Sequence, residues 1–461
     1  MKKDIFKVFG SNLIKMVVTF LTAFIVPMVL SIPSYGYLKT YQFYASYIGI
    51  SHLGFCDGVY LYYGGKKEDE LDHRGLAEQW SSILVYEIIV AVAFVPFGII
   101  KQNLILVCVG LTMIPKVMFT FYSYIFQSVG DFSKYTLIVN IYSTVNMFIN
   151  LVLVLMRVRD YRIYMVLYVF IECVPFIVGT VLFSKLKWIH FTGFKGSVFS
   201  KYIKLGILLM IGNFAYSIFI GIDKWFIKFS LPIEDFSMYS FASQMLTVVN
   251  MFITPIAMTL YSNMARRQDH EFEVKIKKAL VCFLMIIPVA IYALKFIIST
   301  FMKQYIPAIN ITSALLITQI FLSLNVAIFV NLYKAYKKQK DYFIRLVISL
   351  GVAVLTDGIV TAVQPNIMGY ALSTMLSCFI WFVLNIHYFN YMKPGVKELL
   401  YVALLLGTYM GTLLIENVFV RAGVYIILYF ILTRMMMPEE WEYGLMQLRL
   451  LKSRRLSSRR S

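Results

Sequence analysis

Uncharged apolar stretches return again and again along this chain, each about twenty residues long, the length a helix needs to cross a hydrocarbon core of roughly 30 Å. That recurrence decides the fold class, because a span in lipid must satisfy every backbone N–H and C=O within itself. Strands of a membrane barrel would alternate apolar and polar residues. Runs such as MVVTFLTAFIVPMVL and IIVAVAFVPFGII do not alternate. The chain therefore reads as an all-α polytopic membrane protein. Candidate spans lie near 8–31, 38–62, 80–100, 103–127, 135–156, 161–183, 202–227, 237–261, 279–300, 308–333, 343–363, 367–390, 398–416 and 420–437, about 14 transmembrane helices in all.

An even number of spans puts both termini on one side, and the basic residues say which. One set of alternating loops holds 31 of the 43 Lys and Arg; the other holds eight, and Lys15, Lys116, Lys224 and Lys295 lie inside spans. The basic-rich side is cytoplasmic by the positive-inside rule, so both termini are expected there, in a multi-pass protein of the cell membrane. The turn RVRDYR is the one departure from that bias. The opposite loops are all short, which weighs against a glycan polymerase or ligase needing a large outer loop for its acceptor.

A net charge of +19 could suggest nucleic acid, but no nucleic-acid module is visible, and orientation in the bilayer explains the basic excess. Cys56, Cys108, Cys173, Cys282 and Cys378 sit in or beside apolar blocks without paired spacing, as small core residues do. The basic N-terminus lacks a small-residue cleavage site and reads as an uncleaved first span. There is no phosphate-cradling Gly-rich loop ending in Lys-Ser/Thr, no His-Glu-x-x-His and no histidine cluster. No cofactor, metal or enzymatic activity is expected.

The longest connection, Ser184 to Ser200, follows the sixth span. The expected layout is an N-terminal six-helix bundle (1–184), a cytoplasmic linker (185–200) and a C-terminal six-helix bundle (201–390). An extra helix pair (391–437) and a basic cytoplasmic tail (438–461) complete it. Sliding one half over the other aligns Gly10 with Gly212, Tyr37 with Tyr239 and Gln42 with Gln244, as in a duplicated transporter that works by alternating access.

Three segments carry a family resemblance. GIDKWFIKFSLPIEDFSMYSFASQM (Gly221 to Met245) has an acid-base pair, an apolar stretch, an acidic turn and then Tyr239 and Ala242. It resembles the seventh-to-eighth span segment of polysaccharide repeat-unit flippases, the O-antigen and capsule (Wzx-type) exporters, with Ser237 or Phe236 where a glycine is usual. SYGYLKTYQFYASYIGISHLGFCDGVYLYYGG (Ser34 to Gly65) resembles the family's second span, including Gly54, Asp57 and Gly58, and NLYKAYKKQKDYF its tenth-span exit. The superfamily also holds lipid II flippases and multidrug exporters. The resemblance implies two pseudo-symmetric bundles that move a polyprenyl-diphosphate-linked oligosaccharide from the cytoplasmic to the outer leaflet. It also makes glycosyltransferases or a polymerase of the same pathway expected partners.

Ionisable side chains inside spans each cost about 2.5–3.5 kcal/mol even on lenient insertion scales, so each needs a partner or a task. A lipid diphosphate needs cations along its path; Lys15, Lys116 and Lys295 are the candidates. Asp223 and Lys224 suit either an interfacial position, with Lys224 reaching outward, or a gate. Glu87, Lys116 and Glu172 fall at similar depth and could form one buried ion cluster, structural or ion-coupling. Asp357 and His52 are lesser candidates, Asp57 suits an orienting role at a span end, and KKEDELDH reads as a solvated loop. A second expectation, an ion-coupled drug or metabolite exporter, would rest on Glu87 and Glu172.

Overall fold

The computed structural model describes residues 22–442, and within them there is no strand. Ten helices among the described residues are long and apolar enough to cross a membrane: His73–Ile100, Leu104–Ser128, Phe132–Leu155, Tyr161–Lys185, Gly196–Ser230, His270–Phe301, Ala308–Ala335, Gln339–Val363, Ile367–Tyr388 and Val418–Met436. This is a multi-pass membrane protein. Ile233–Arg267 and the shorter Val396–Thr412 occupy the places of the expected eighth and thirteenth spans. Most of the expected first span, with Lys15, lies outside the described residues, as does the tail beyond 442.

Short connections end in helix caps. Asp72, Asn103, Asp131, Asp160, Asp269, Asn366 and Asn417 each accept a backbone N–H from the first turn that follows. Each cap satisfies a donor the helix itself cannot. Pro96, Pro115 and Pro175 sit inside helices, tolerated because neighbouring groups absorb the freed carbonyls. Outward-facing side chains such as Val92, Ile100, Leu155, Leu208 and Leu355 are exposed and apolar, the surface a lipid contact requires.

The expected second span is not one helix. Ile32–Ser46 gives way to a turn, and the chain resumes helix at Phe55–Tyr63. Leu53 (φ 52°) and Gly54 (φ 85°) are both left-handed at the break. Gly54 serves a close approach as well: a Cβ there, on Gly58 or on Gly206 would lie 2.8, 1.9 or 2.1 Å from backbone atoms of the facing segment. Small residues four apart let helices meet backbone to backbone, so Phe55–Tyr63 packs against the first half of Gly196–Ser230. The ring pairs Phe55–Phe199 (5.2 Å) and Tyr62–Tyr202 (5.5 Å) flank the crossing.

Two compact units emerge, Met1–Ile220 and Gly221–Ser461, dividing inside the Gly196–Ser230 helix. The sequence expectation divides the chain earlier, at 185–200. The reason for the difference lies in unit 1. The connection before Gly196 is tied to His73–Ile100: Ser81 donates to the His190 carbonyl (3.3 Å) and accepts from the Thr192 N–H (3.0 Å), and Lys195 reaches Glu78 (2.5 Å). The loop read as a solvated turn is likewise anchored, with Lys134 2.6 Å from Asp131 and 2.9 Å from Glu68.

Unit 2 is held by buried polar pairs. Lys277 is 2.9 Å from Glu398 and donates to the Met392 carbonyl (2.9 Å). Asn325, at a π-turn spanning Asn325–Phe329, donates to the Cys378 carbonyl and accepts from Asn385, which also accepts from Tyr333. Amides answering one another in this way fix helix register where apolar packing alone would not.

Candidate functional site

The Asp-Lys pair of the seventh span resolves into two different environments. Asp223 is buried, 4% exposed. The Tyr239 hydroxyl, from Ile233–Arg267, donates to its Oδ2, and Thr374, from Ile367–Tyr388, donates to the same oxygen at 3.0 Å. The Lys224 N–H donates to Oδ1 at 2.7 Å. The Asp223 carboxylate pairs locally, enclosed by three helices of unit 2. Lys224 is partly buried, and among the described residues its ammonium makes no ion pair within 4.0 Å.

A second carboxylate belongs to the same cluster. Asp357, 1% exposed, sits in Gln339–Val363 close enough to Asp223 to repel it, and Ser373 hydrogen-bonds its carboxyl. Its Oδ1 has no hydrogen-bond partner among the described residues. Ser373 and Thr374 are consecutive, so one turn of Ile367–Tyr388 serves both acids. Thr356 closes the ring, 2.5 Å from the Ser373 hydroxyl. Burying two carboxylates among apolar helices is costly, and Lys224 is the basic group beside Asp223. Hydroxyls of Tyr239, Thr374 and Ser373 surround the two acids alongside the Lys224 N–H, an oxygen-rich arrangement that can take up a proton or a hard cation.

In unit 1, Glu87, Lys116 and Glu172 lie apart from one another. Glu87 is fully buried and accepts from the Ser51 hydroxyl at 2.9 and 3.1 Å, at the break of the second span. Lys116 donates instead to the Ala45 carbonyl (2.9 Å), and Glu172 accepts from Tyr142 (3.0 Å). No ion pair joins any two of the three, so the expected Glu87–Lys116–Glu172 ion cluster is not formed. Equal depth did not mean a shared face: neutral groups on other helices take up each charge. Beside Glu87, His52 Nδ1 accepts from the Gly54 N–H (3.1 Å) and its Nε2 lies 3.9 Å from Asp57, which Asn213 approaches at 3.5 Å. Lys295 is partly buried near Arg421, a like charge.

Sequence reasoning found both acids of unit 2 but not Thr374 or Ser373, since a hydroxyl in an apolar helix carries no distinguishing signal. Tyr239 was visible through its alignment with Tyr37 and its place in the resemblance. A further cavity of about 390 Å³ is lined by His270, Lys275, Lys278, Tyr391, Glu439 and Glu440 among others. Burial, and the carboxylate of Glu273 that it donates to, push the Tyr391 phenol well above its ordinary range.

No family model matches the chain, and no curated protein matches it. Solved structures do. The lipid II flippase MurJ in an inward closed conformation superposes with a TM-score of 0.68 at 16% identity, over 95% of this chain and 99% of that one. The fold is that of a known flippase. An inward-facing multidrug resistance MATE family transporter of the MOP superfamily matches with a TM-score of 0.50 at 11% identity, over 83% and 98%. A crystal structure of a MATE protein matches at 0.50 and 13%, over 85% and 96%. At these identities the likeness extends to the fold.

Proposed function

We propose that the protein is a cation-coupled flippase for a polyprenyl-diphosphate-linked oligosaccharide of surface polysaccharide synthesis, carried from the cytoplasmic to the outer leaflet by alternating access. The observation that carries this reading is the end-to-end likeness to the MurJ flippase, stronger than that to the drug transporters. The repeat-unit specificity comes from the Gly221–Met245 and Ser34–Gly65 segments. Asp223 and Asp357 are the coupling carboxylates in this account. Binding a cation or proton there relieves their repulsion, and a group that gains or loses charge between two states is what an ion gradient can drive. Lys116 and Lys295, with Lys15, are proposed to offset the diphosphate charge; Glu87, Glu172 and Lys224 are secondary gating or coupling groups. Glycosyltransferases or a polymerase of the pathway are the expected partners, and both termini are assigned to the cytoplasm.

The test is translocation of fluorescent lipid-linked oligosaccharide in proteoliposomes, paired with surface polysaccharide in cells lacking the protein. No transfer, with normal polysaccharide in those cells, would overturn it. A drug or metabolite exporter is the second reading, favoured by the buried acid Glu87. It would be preferred if resistance to cationic compounds depended on Glu87 or Glu172.

A further inference from the structure

Where the second span leaves the membrane, two lysines converge on one tyrosine. The Lys66 ammonium lies 4.0 Å from the Tyr62 ring centre and the Lys201 ammonium 4.7 Å from the same ring. Each covers a second ring too, Lys66 over Tyr63 and Lys201 over Tyr202, both at 5.2 Å. The rings are held in place. Gln79, itself buried, donates to the hydroxyls of Tyr63 (3.0 Å) and Tyr202 (2.7 Å), and Tyr62 meets both neighbours edge-on. Gly58 and Gly206 bring the two supporting helices together just below.

Nearby acids do not compensate these charges. Glu68 is taken by Lys134, Glu70 accepts from the Lys67 N–H, Asp72 caps the next helix and Glu78 is held by Lys195 and Arg74, while Asp69, in the same loop, makes no ion pair within 4.0 Å among the described residues. Neither Lys66 nor Lys201 has a carboxylate within 4.0 Å among the described residues. Lys204, exposed and almost one turn along from Lys201, adds a third cation. An acid-rich loop that leaves two adjoining cations unmatched leaves room for an external anion. The exposed Tyr60, Leu61 and Tyr62 at this end of Phe55–Tyr63 are the aromatic and apolar side chains of a membrane boundary.

We propose that Lys66, Lys201 and Tyr62 form a capture site for a phosphate-bearing lipid headgroup at the rim of unit 1. Its cations bind phosphate oxygens, and the exposed Tyr62 ring lies beside them for what the phosphate carries. The site rests on the flippase reading only in naming the substrate diphosphate as its occupant. An anionic phospholipid headgroup offers the same chemistry.

The test uses full-length protein in phosphatidylcholine nanodiscs, with farnesyl diphosphate as the probe and thermophoresis as the readout. Lys66→Gln/Lys201→Gln should weaken binding by about tenfold per lysine, that is about hundredfold, and Lys66→Arg/Lys201→Arg should restore most of it. Tyr62→Leu, at an exposed position that does not threaten folding, should weaken binding severalfold. Repeating the titration in discs containing phosphatidylglycerol separates the sources. Competition assigns the site to bulk anionic lipid, and no competition assigns it to the diphosphate. Unchanged affinity in Lys66→Gln/Lys201→Gln overturns the proposal. Failure of the parent protein to move lipid-linked oligosaccharide while it still binds the probe through these lysines would remove the flippase reading and leave the site.

Discussion

Gly206→Ala tests the contact on which the geometry of unit 1 depends. A Cβ at this position would lie 2.1 Å from the Gly54 carbonyl oxygen and 2.2 Å from the Gly58 nitrogen. Carbon and oxygen normally approach no closer than about 3.3 Å, so the helices must separate by roughly 1 Å. A gap of that size forfeits a quarter to a half of each contact's dispersion well. It strains the Gln79–Tyr202 hydrogen bond at 2.7 Å and loosens the rings of Phe55, Phe199 and Tyr202. Overpacking costs about 1–3 kcal/mol, and each aromatic pair is worth about 0.5–1.5 kcal/mol. A total loss of about 3–5 kcal/mol follows. For a chain of this size that corresponds to a fall of roughly 3–5 °C in apparent melting temperature. Gly212, six residues along the same helix, has open space around it, so Gly212→Ala should be neutral or gain up to about 1 kcal/mol from helix propensity. Scanning fluorimetry of the two purified variants side by side makes the comparison. If Gly206→Ala melts with Gly212→Ala, the backbone-to-backbone contact does not carry the weight assigned to it.

Lys277→Met strands the buried Glu398 carboxylate and should cost about 3–5 kcal/mol, seen as lost monodisperse protein; Lys277→Met with Glu398→Leu should recover most of it, because removing both charges avoids the unpaired state. Thr374→Val removes one of the donors to Asp223 Oδ2 while keeping volume, so coupling-ion affinity should change by tenfold or more with a small change in melting temperature; equal affinity would separate Thr374 from the ion site. Lys134→Met breaks a partly exposed cluster and is expected to cost no more than about 1 kcal/mol by thermal unfolding.

Length and hydropathy alone revealed most of the spans, because lipid leaves a chain so few ways to satisfy its backbone. The broken second span was not visible that way. Its break at Ser51–Gly54 interrupts hydropathy only slightly, and its cause, a backbone contact with Gly206, is a long-range fact. Charged residues in spans were easy to find and hard to pair. Lys116 ends on the carbonyl of Ala45, 71 residues away in sequence, and no side-chain pattern announces a carbonyl. Asp223 and Asp357 stood out as acids in apolar surroundings. Their shared hydroxyl-bearing turn did not, since Ser373 and Thr374 look like any small residues that let helices pack.

Translocation of a fluorescent polyprenyl-diphosphate oligosaccharide into proteoliposomes, with and without an imposed sodium or proton gradient, addresses coupled flipping directly. The parent protein should flip faster when one of the gradients is present, and Asp223→Asn/Asp357→Asn should flip at a single rate whatever the gradient. Gradient-driven flipping that survives loss of both carboxylates would contradict the account.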